Sequence, residues 1–317
     1  MKPPNRAPKT YRTYHDVLSH IPAHIGSMQL SRVPPETYHG VFVSIAEKGF
    51  GRTADLLRAV LRSALNRAVK LRRLEVNPIL GTEPVRYMQK DSGVFTDAEV
   101  KRFLVVAEDA RLGCLFVLCL SLGLRIAEAL GLRAGGIDLA TREIHIRRQL
   151  QRVKLPGEEQ GRWIEREPKK GSLRDLPIPE PGYRFLVRHL AKRAEEALAA
   201  GEKWTDSGFL FVNAIGGPLH EKNVAEEFHA TCDRAKVPRI RFHDTRHSCG
   251  TFLHAQGADS IMRILGHSQL STTKRYTHVS ARVVKPALDR VDSLFQWTQE
   301  VPQPDLVTNS ANHSKAQ

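Results

Sequence analysis

The stretch GLRIAEALGL, residues 123–132, decides the reading of this chain. It overlaps the end of an apolar run from Leu112 to Leu124. That run is well short of the roughly 20 residues a membrane span needs, so it is expected to be a buried helix. Arg125 begins a helix after Gly123. The ordinary fate of such an arginine is an ion pair with Glu128, three residues on and on the same helix face. Two later stretches point elsewhere. HDTRHSCGTF (243–252) places His243, Arg246 and His247 at i, i+3 and i+4, on one helix face. LGHSQLSTTKRYTHV (265–279) carries His267 and Tyr276. Arginine presents a permanently charged planar fork that matches two phosphate oxygens. Histidine moves protons near neutral pH, and a tyrosine hydroxyl can form a covalent intermediate. Arg125, His243, Arg246, His267 and Tyr276 are therefore a set for gripping a phosphodiester and attacking it. Singly, each has a duller explanation. His267 alone reads as a hydrogen-bonded helix-end histidine, and His243 with His247 has the i, i+4 spacing of two zinc ligands. No glutamate follows His243 and no third ligand is evident, so no metal is assigned.

With these residues in view, the chain resembles the tyrosine recombinases, the family of phage integrases and their relatives. The box G-L-R-x-x-E-x-L-x-L is met at Gly123, Leu124, Arg125, Glu128, Leu130 and Leu132. H-x-x-R-H is met at His243, Arg246 and His247, and L-G-H followed by tyrosine at Leu265, Gly266, His267 and Tyr276. The flanking S-T-T-x-x-Y-T-H-V, Ser271 to Val279, is also typical of phage and element integrases. The resemblance implies Tyr276 as nucleophile, with Arg125 and Arg246 on the non-bridging phosphate oxygens. It implies acid–base chemistry for His243, a mainly structural His247, a phosphate hydrogen bond from His267, and a Glu128 that orients the site. It further implies a lysine in the turn of a strand pair as the general acid for the leaving 5′ oxygen. Counting back from Leu176-Pro177, Lys169 fits best and Lys170 is one residue out. The implied reaction is site-specific DNA recombination, integration or excision of a mobile element, through a 3′-phosphotyrosyl intermediate. No cofactor, metal or ATP is implied. The implied partners are double-stranded DNA, further copies of the chain in a tetramer on DNA, and accessory DNA-bending proteins. The implied location is the bacterial cytoplasm, on the nucleoid when bound, with no membrane partner.

Composition agrees. Lys and Arg number 48 against 34 Asp and Glu, a net charge of +14, and a polyanion is the natural partner of such a surface. Apolar residues make up 41%, which fits a globular chain of one or two domains and not a disordered one. Cys114, Cys119, Cys232 and Cys249 have no C-x-x-C spacing. The first two lie inside the apolar run, so buried thiols in a reducing compartment are expected. The start, MKPPNRAPKT, carries no apolar signal region.

The expected fold is mainly α with a small antiparallel β-sheet. A helical core-binding, DNA-binding domain (1–80) precedes a linker (81–94), an α+β catalytic domain (95–298) and a disordered tail (299–317). Helices are expected over Tyr11–Ile25 and Glu36–Lys48, with a third, capped by Thr53, running to about Leu71. Leu57, Val60, Leu61, Ala64, Leu65, Ala68 and Val69 fall on one face of the third. Arg58, Arg62, Arg67, Lys70 and Arg73 lie mostly off that face. They read either as a stripe along a DNA backbone or as an ordinary solvated surface. Thr96-x-x-Glu99 is a capping box that opens the second domain. Ile137–Leu139 with Glu143–Arg147 read as a hairpin, and Trp163–Glu167 with Arg174–Ile178 as a second strand pair. From Arg282 to about Trp297 an apolar stripe suggests a helix that docks on a neighbouring subunit.

Two departures from the family pattern set further expectations. The segment like Tyr11–Gly26 usually follows an arm-binding domain and a first core-binding helix, so the N-terminus is expected to be truncated. The stretch 257–266 is a residue or two shorter than usual, which bears on where His267 and Tyr276 sit. The alternatives to an active recombinase are a truncated, catalytically weak DNA-binding remnant that occupies sites, and a relaxing topoisomerase with the same covalent chemistry.

Overall fold

A computed structural model describes residues 7–88, 93–168, 172–253 and 264–265. The first part is helical: α1 (Pro8–Leu18), α2 (Ala23–Gly26), α3 (Pro35–Glu47) and α4 (Gly51–Lys70). Then come α5 (Asp97–Ala107), α6 (Gly113–Leu122) and α7 (Ile126–Leu130). Five short strands follow: β1 (Ile137–Asp138), β2 (Glu143–Ile146), β3 (Gln149–Val153), β4 (Arg162–Arg166) and β5 (Arg174–Pro177). The described chain closes with α8 (Glu180–Ala200), α9 (Glu221–Arg234) and α10 (Asp244–Leu253). The class is the expected one, mainly α with small antiparallel sheets.

Buried side chains fall into two clusters. In the first, Tyr38, Phe42 and Ile45 of α3 meet Leu57, Val60, Leu61 and Leu65 of α4, and Ile79 closes one end. The second is built around α6, all ten residues of which are buried. A helix that is apolar all round belongs in the middle of a core. Phe95, Phe103, Phe116, Phe228 and Phe242 pack ring to ring beside it, with centroids 5.3 Å apart for Phe103–Phe228 and for Phe228–Phe242. The capping box forms as read. Thr96 Oγ1 accepts from the Glu99 backbone N–H, and a Glu99 carboxylate oxygen accepts from the Thr96 N–H. Cys114, Cys119, Cys232 and Cys249 are all free and buried. Among the described residues no helix is long and apolar enough to cross a membrane.

Several local expectations are corrected. The helix read over Tyr11–Ile25 is two pieces, α1 and α2, because Pro22 cannot continue the first and instead caps the second. Thr53 lies inside α4 and does not cap it. The reversal at Gly49, φ +84°, lets the helix start at Gly51, where a Cβ would fall 2.3 Å from the Tyr87 side chain. Ala64, assigned to the apolar face, is exposed. The second strand pair does not form between the segments expected. β4 pairs with β3, and β5 joins β2 to complete a three-stranded sheet in the order β1-β2-β5. The buried partners decide it: Leu176 sits opposite Ile144, both inside the core. β3 was not anticipated. Its inward residues, Leu150 and Val153, are not two apart, so the strict alternation that marks a strand is missing.

Tyr276, His267, Lys169 and Lys170 lie outside the described residues. So do the stripe from Arg282 to Trp297, the tail 299–317 and all but two residues of the stretch 257–266.

Candidate active site

Gly123 takes φ +58° as the left-handed end of α6, and a Cβ there would lie 2.1 Å from the Leu265 side chain and 3.3 Å from Cys249 Sγ. Glycine is what permits both the turn and the close approach. The chain then turns into α7, with Arg125 at its N-cap position. The Arg125 backbone N–H donates to Glu128 Oε2 at 3.1 Å, and its guanidinium donates to Glu128 Oε1 at 2.5 Å. The guanidinium also reaches Ser172 Oγ at 3.3 Å and keeps 35% of its side-chain surface exposed. Both readings of Glu128 therefore meet in one place: it is the ion-pair partner of Arg125 and also its support.

Glu128 is 1% exposed, and a buried carboxylate needs more than one cation to remain ionised. Arg174 of β5 supplies the second, donating to Oε2 at 2.9 Å from a side chain only 7% exposed. Burial pushes the Glu128 carboxyl up. Arg174 and then Arg125 more than offset it, so the group lies below the usual glutamate range.

Arg246, on α10, is 4% exposed and spans two backbone carbonyls, donating to Gly123 O and to Leu265 O. Burial, and then the nearby charge of Arg125, lower its pKa to about 10, so it remains a cation at neutral pH. His243 precedes the first turn of α10. Its ring stands edge-on to that of His247, centroids 5.5 Å apart and planes at 87°. The expected common face of His243, Arg246 and His247 is split: both imidazoles are exposed, whereas Arg246 turns into the core. The reason is the pair of unpaired carbonyls that a buried guanidinium satisfies. Loss of water around the ring lowers the His243 pKa, as do the charges of His247 and Arg246. Asp244 acts against them. The ring is thus neutral at pH 7 and able to accept a proton. Among the described residues no third His, Cys, Asp or Glu joins the two histidines in a metal-holding group.

Sequence reasoning missed Ser172 and Arg174. Ser172, read as part of a solvated basic turn, is 2% exposed. Arg174, read only as the start of a strand, sits opposite Ile146 in the sheet. The signal was present. Residues two apart on a strand share a face, so Arg174 lies on the same side as the apolar Leu176.

Arg125 and Glu128, Ser172 and Arg174, and His243 and Arg246 thus come from three separate stretches of chain and meet around Arg125. The sequence profile of the phage integrase family matches residues 94–282. The chain belongs to that family, the tyrosine recombinases. A relative named tyrosine recombinase XerC-like, from Caldanaerobacter subterraneus subsp. tengcongensis, is 30% identical over 260 residues, covering 77% of this chain and 66% of that protein. An integrase from Saccharopolyspora erythraea is 23% identical, covering 92% of this chain and 78% of that one. The tyrosine recombinase XerC of Bifidobacterium longum (strain DJO10A) is 31% identical over 190 residues and is matched over 47% of its length. This integrase-family chain therefore spans between about half and about four fifths of these relatives. In fold it is similar to the Tn1549 transposon integrase in complex with transposon right end DNA, with TM-score 0.72 and 21% identity over 91% of this chain and 95% of that one. A lambda integrase dimer bound to a COC′ core site follows, with TM-score 0.59 and 15% identity over 95% of each chain.

Proposed function

We propose that this chain is a site-specific DNA recombinase that cuts and rejoins strands through Tyr276. The observation that carries the reading is the convergence of Arg125 and Arg246 on the buried Glu128, with a neutral His243 close to both arginines, in a chain of the tyrosine recombinase family. The helical segment 1–80 is its core-binding domain and 95–298 its catalytic domain, joined through 81–94. Double-stranded DNA is the substrate. The chain works as an oligomer on it, a tetramer when two sites are exchanged, with accessory bending proteins as further partners.

In the proposed step the Tyr276 hydroxyl oxygen attacks phosphorus and the bond to the 5′ oxygen breaks. His243 takes the phenolic proton, and Lys169 or Lys170 gives one to the leaving 5′ oxygen. A free phenol has a pKa of about 10, so at neutral pH it attacks only with a base beside it. Arg125 and His267 hold the non-bridging oxygens while charge shifts there, and Arg246, anchored on the Gly123 and Leu265 carbonyls, adds its positive charge beside them. The phosphotyrosyl ester retains the energy of the broken bond, so a 5′-hydroxyl can reverse the step on a new strand. The reading is supported by the relatives' names, by the Tn1549 and lambda integrase complexes with DNA, and by the net charge of +14.

The test is a nicked suicide substrate carrying the recognised site. The parent chain is expected to leave a denaturation-resistant protein–DNA adduct. Tyr276→Phe is expected to bind the same DNA and leave none. An adduct with Tyr276→Phe overturns the assignment of the nucleophile. Tight binding by the parent without any adduct overturns the recombinase reading in favour of a site-occupying protein.

A further inference from the structure

Arg174 makes three hydrogen bonds to three residues, two of them on distant segments. Its Nη2 donates to Glu128 Oε2, its Nη1 to the Ser172 carbonyl and its Nε to the Ile264 carbonyl, each at 2.9 Å. Ser172 follows Lys169-Lys170-Gly171 in the sequence, and Ile264 lies three residues before His267. Next to Ile264, the Leu265 carbonyl is taken by Arg246. Two buried guanidiniums therefore grip consecutive carbonyls of the segment that leads to His267, and one of them also holds the carboxylate that pairs with Arg125. We propose that Arg174 is a positioning residue of the recombination reaction, fixing Glu128, and through it Arg125, against the segments that carry the catalytic lysine and histidine. The proposal rests on the recombinase reading given above.

The geometry makes arginine specific here. Only a planar fork donates from three nitrogens in fixed directions, so lysine can replace the ion pair with Glu128 but not the two carbonyl bonds. The charged and titratable groups that act on Glu128 are Arg125 from the start of α7, Arg174 from β5, Arg246 from α10 and Cys119 from α6. Arg174 is the strongest of the cations. Without it, burial pushes the Glu128 carboxyl upward. The carboxylate then protonates more readily and loosens its hold on Arg125.

The experiment compares the full-length parent with Arg174→Gln, Arg174→Lys, Glu128→Gln and Arg174→Gln/Glu128→Gln. Single-turnover cleavage of the suicide substrate is measured at saturating DNA, alongside DNA affinity and melting temperature from pH 4 to pH 8. In Arg174→Gln the cleavage rate is expected to fall on the order of 30-fold or more while affinity changes less than about threefold, as for an interaction that matters in the transition state. Arg174→Lys is expected to recover part of the rate. The melting-temperature gap between parent and Arg174→Gln is expected to widen as pH rises, because Arg174 stabilises only the ionised form of Glu128. In the Glu128→Gln background that pH dependence is expected to vanish. An unchanged cleavage rate in a folded Arg174→Gln protein overturns the proposal, as does a melting gap that is flat with pH. Absence of an adduct with the parent counts against the recombinase reading alone. The melting series still decides whether Arg174 holds Glu128 ionised.

Discussion

Arg125 is bonded twice to Glu128, once by its backbone N–H at 3.1 Å and once by its guanidinium at 2.5 Å, and each bond goes to a different carboxylate oxygen. A single residue thereby fixes both the start of α7 and the direction in which the Arg125 guanidinium points. An arginine held at one point would lose that direction to side-chain rotation, at a cost of up to about 2 kcal/mol on ordering.

Glu128→Gln keeps the shape and removes the charge, leaving Arg174 buried without its counter-ion. Breaking a buried pair from one side costs about 3–5 kcal/mol. Urea denaturation at pH 7 is expected to read a loss of that order. The sign with pH follows from the direction of the shift. Glu128 lies below its ordinary value, so its contribution is present above the unfolded range near about 4.3 and is lost as pH falls through the folded value. The stability gap between parent and variant is therefore expected to close in acid. A gap that stays constant down to pH 3 would show that the carboxylate charge contributes nothing.

His243 lies below the ordinary histidine value, which is about 6.5. In the proposed role of proton acceptor it must be neutral. The cleavage rate is expected to rise with pH on the acid side, with the midpoint of that limb below the ordinary value. His243→Gln is expected to slow cleavage about 10²–10⁴-fold, the usual contribution of a positioned general base, and to remove that acid limb. A limb that persists unchanged in the variant assigns the titration to another group.

Gly123→Ala asks an L-residue to hold φ +58°, which costs about 1–2 kcal/mol, and drives a methyl to within 2.1 Å of the buried Leu265 side chain. Overpacking adds about 1–3 kcal/mol. Thermal melting is expected to show a combined loss of at least about 2 kcal/mol. Melting at the parent temperature would mean that α6 and Leu265 yield without cost.

The boxes carried the family because they are short, ordered and chemically constrained, though the third lies outside the described residues beyond Leu265, and the buried run Leu112–Leu124 was legible because nothing interrupts it. The capping box at Thr96 was legible because both of its bonds are local. Strand partners were not. Arg174 and Trp163 look like two sides of one turn in sequence, yet β5 goes to β2 and β4 to β3, a choice made by which apolar residues meet across the sheet. Arg246 was legible as a cation and not as a buried one. Its inward turn depends on the carbonyls of Gly123 and Leu265, 123 and 19 residues away. Arg174 was overlooked for the same reason, since each of its partners except Ser172 lies 46 or more residues away.

Arg58 divides the basic stripe of α4. Its Nε donates to Thr82 Oγ1 at 3.1 Å and its Nη2 to the Thr82 carbonyl at 2.7 Å, so its fork is occupied in tying α4 to the residues after Ile79. Arg62, Arg67, Lys70 and Arg73 are exposed. A phosphate contact releases counterions, and each one lost flattens the logarithmic salt dependence of DNA affinity by about 0.9. Arg62→Gln/Arg67→Gln/Lys70→Gln is therefore expected to lower affinity across unrelated sequences and flatten the slope by between about one and three units, at an unchanged melting temperature. Arg58→Gln is expected to do the reverse, lowering the melting temperature and leaving the salt slope in place. An unchanged slope in the triple variant removes the α4 face from the DNA interface. A slope flattened by Arg58→Gln would mean that its bonds to Thr82 open when DNA binds.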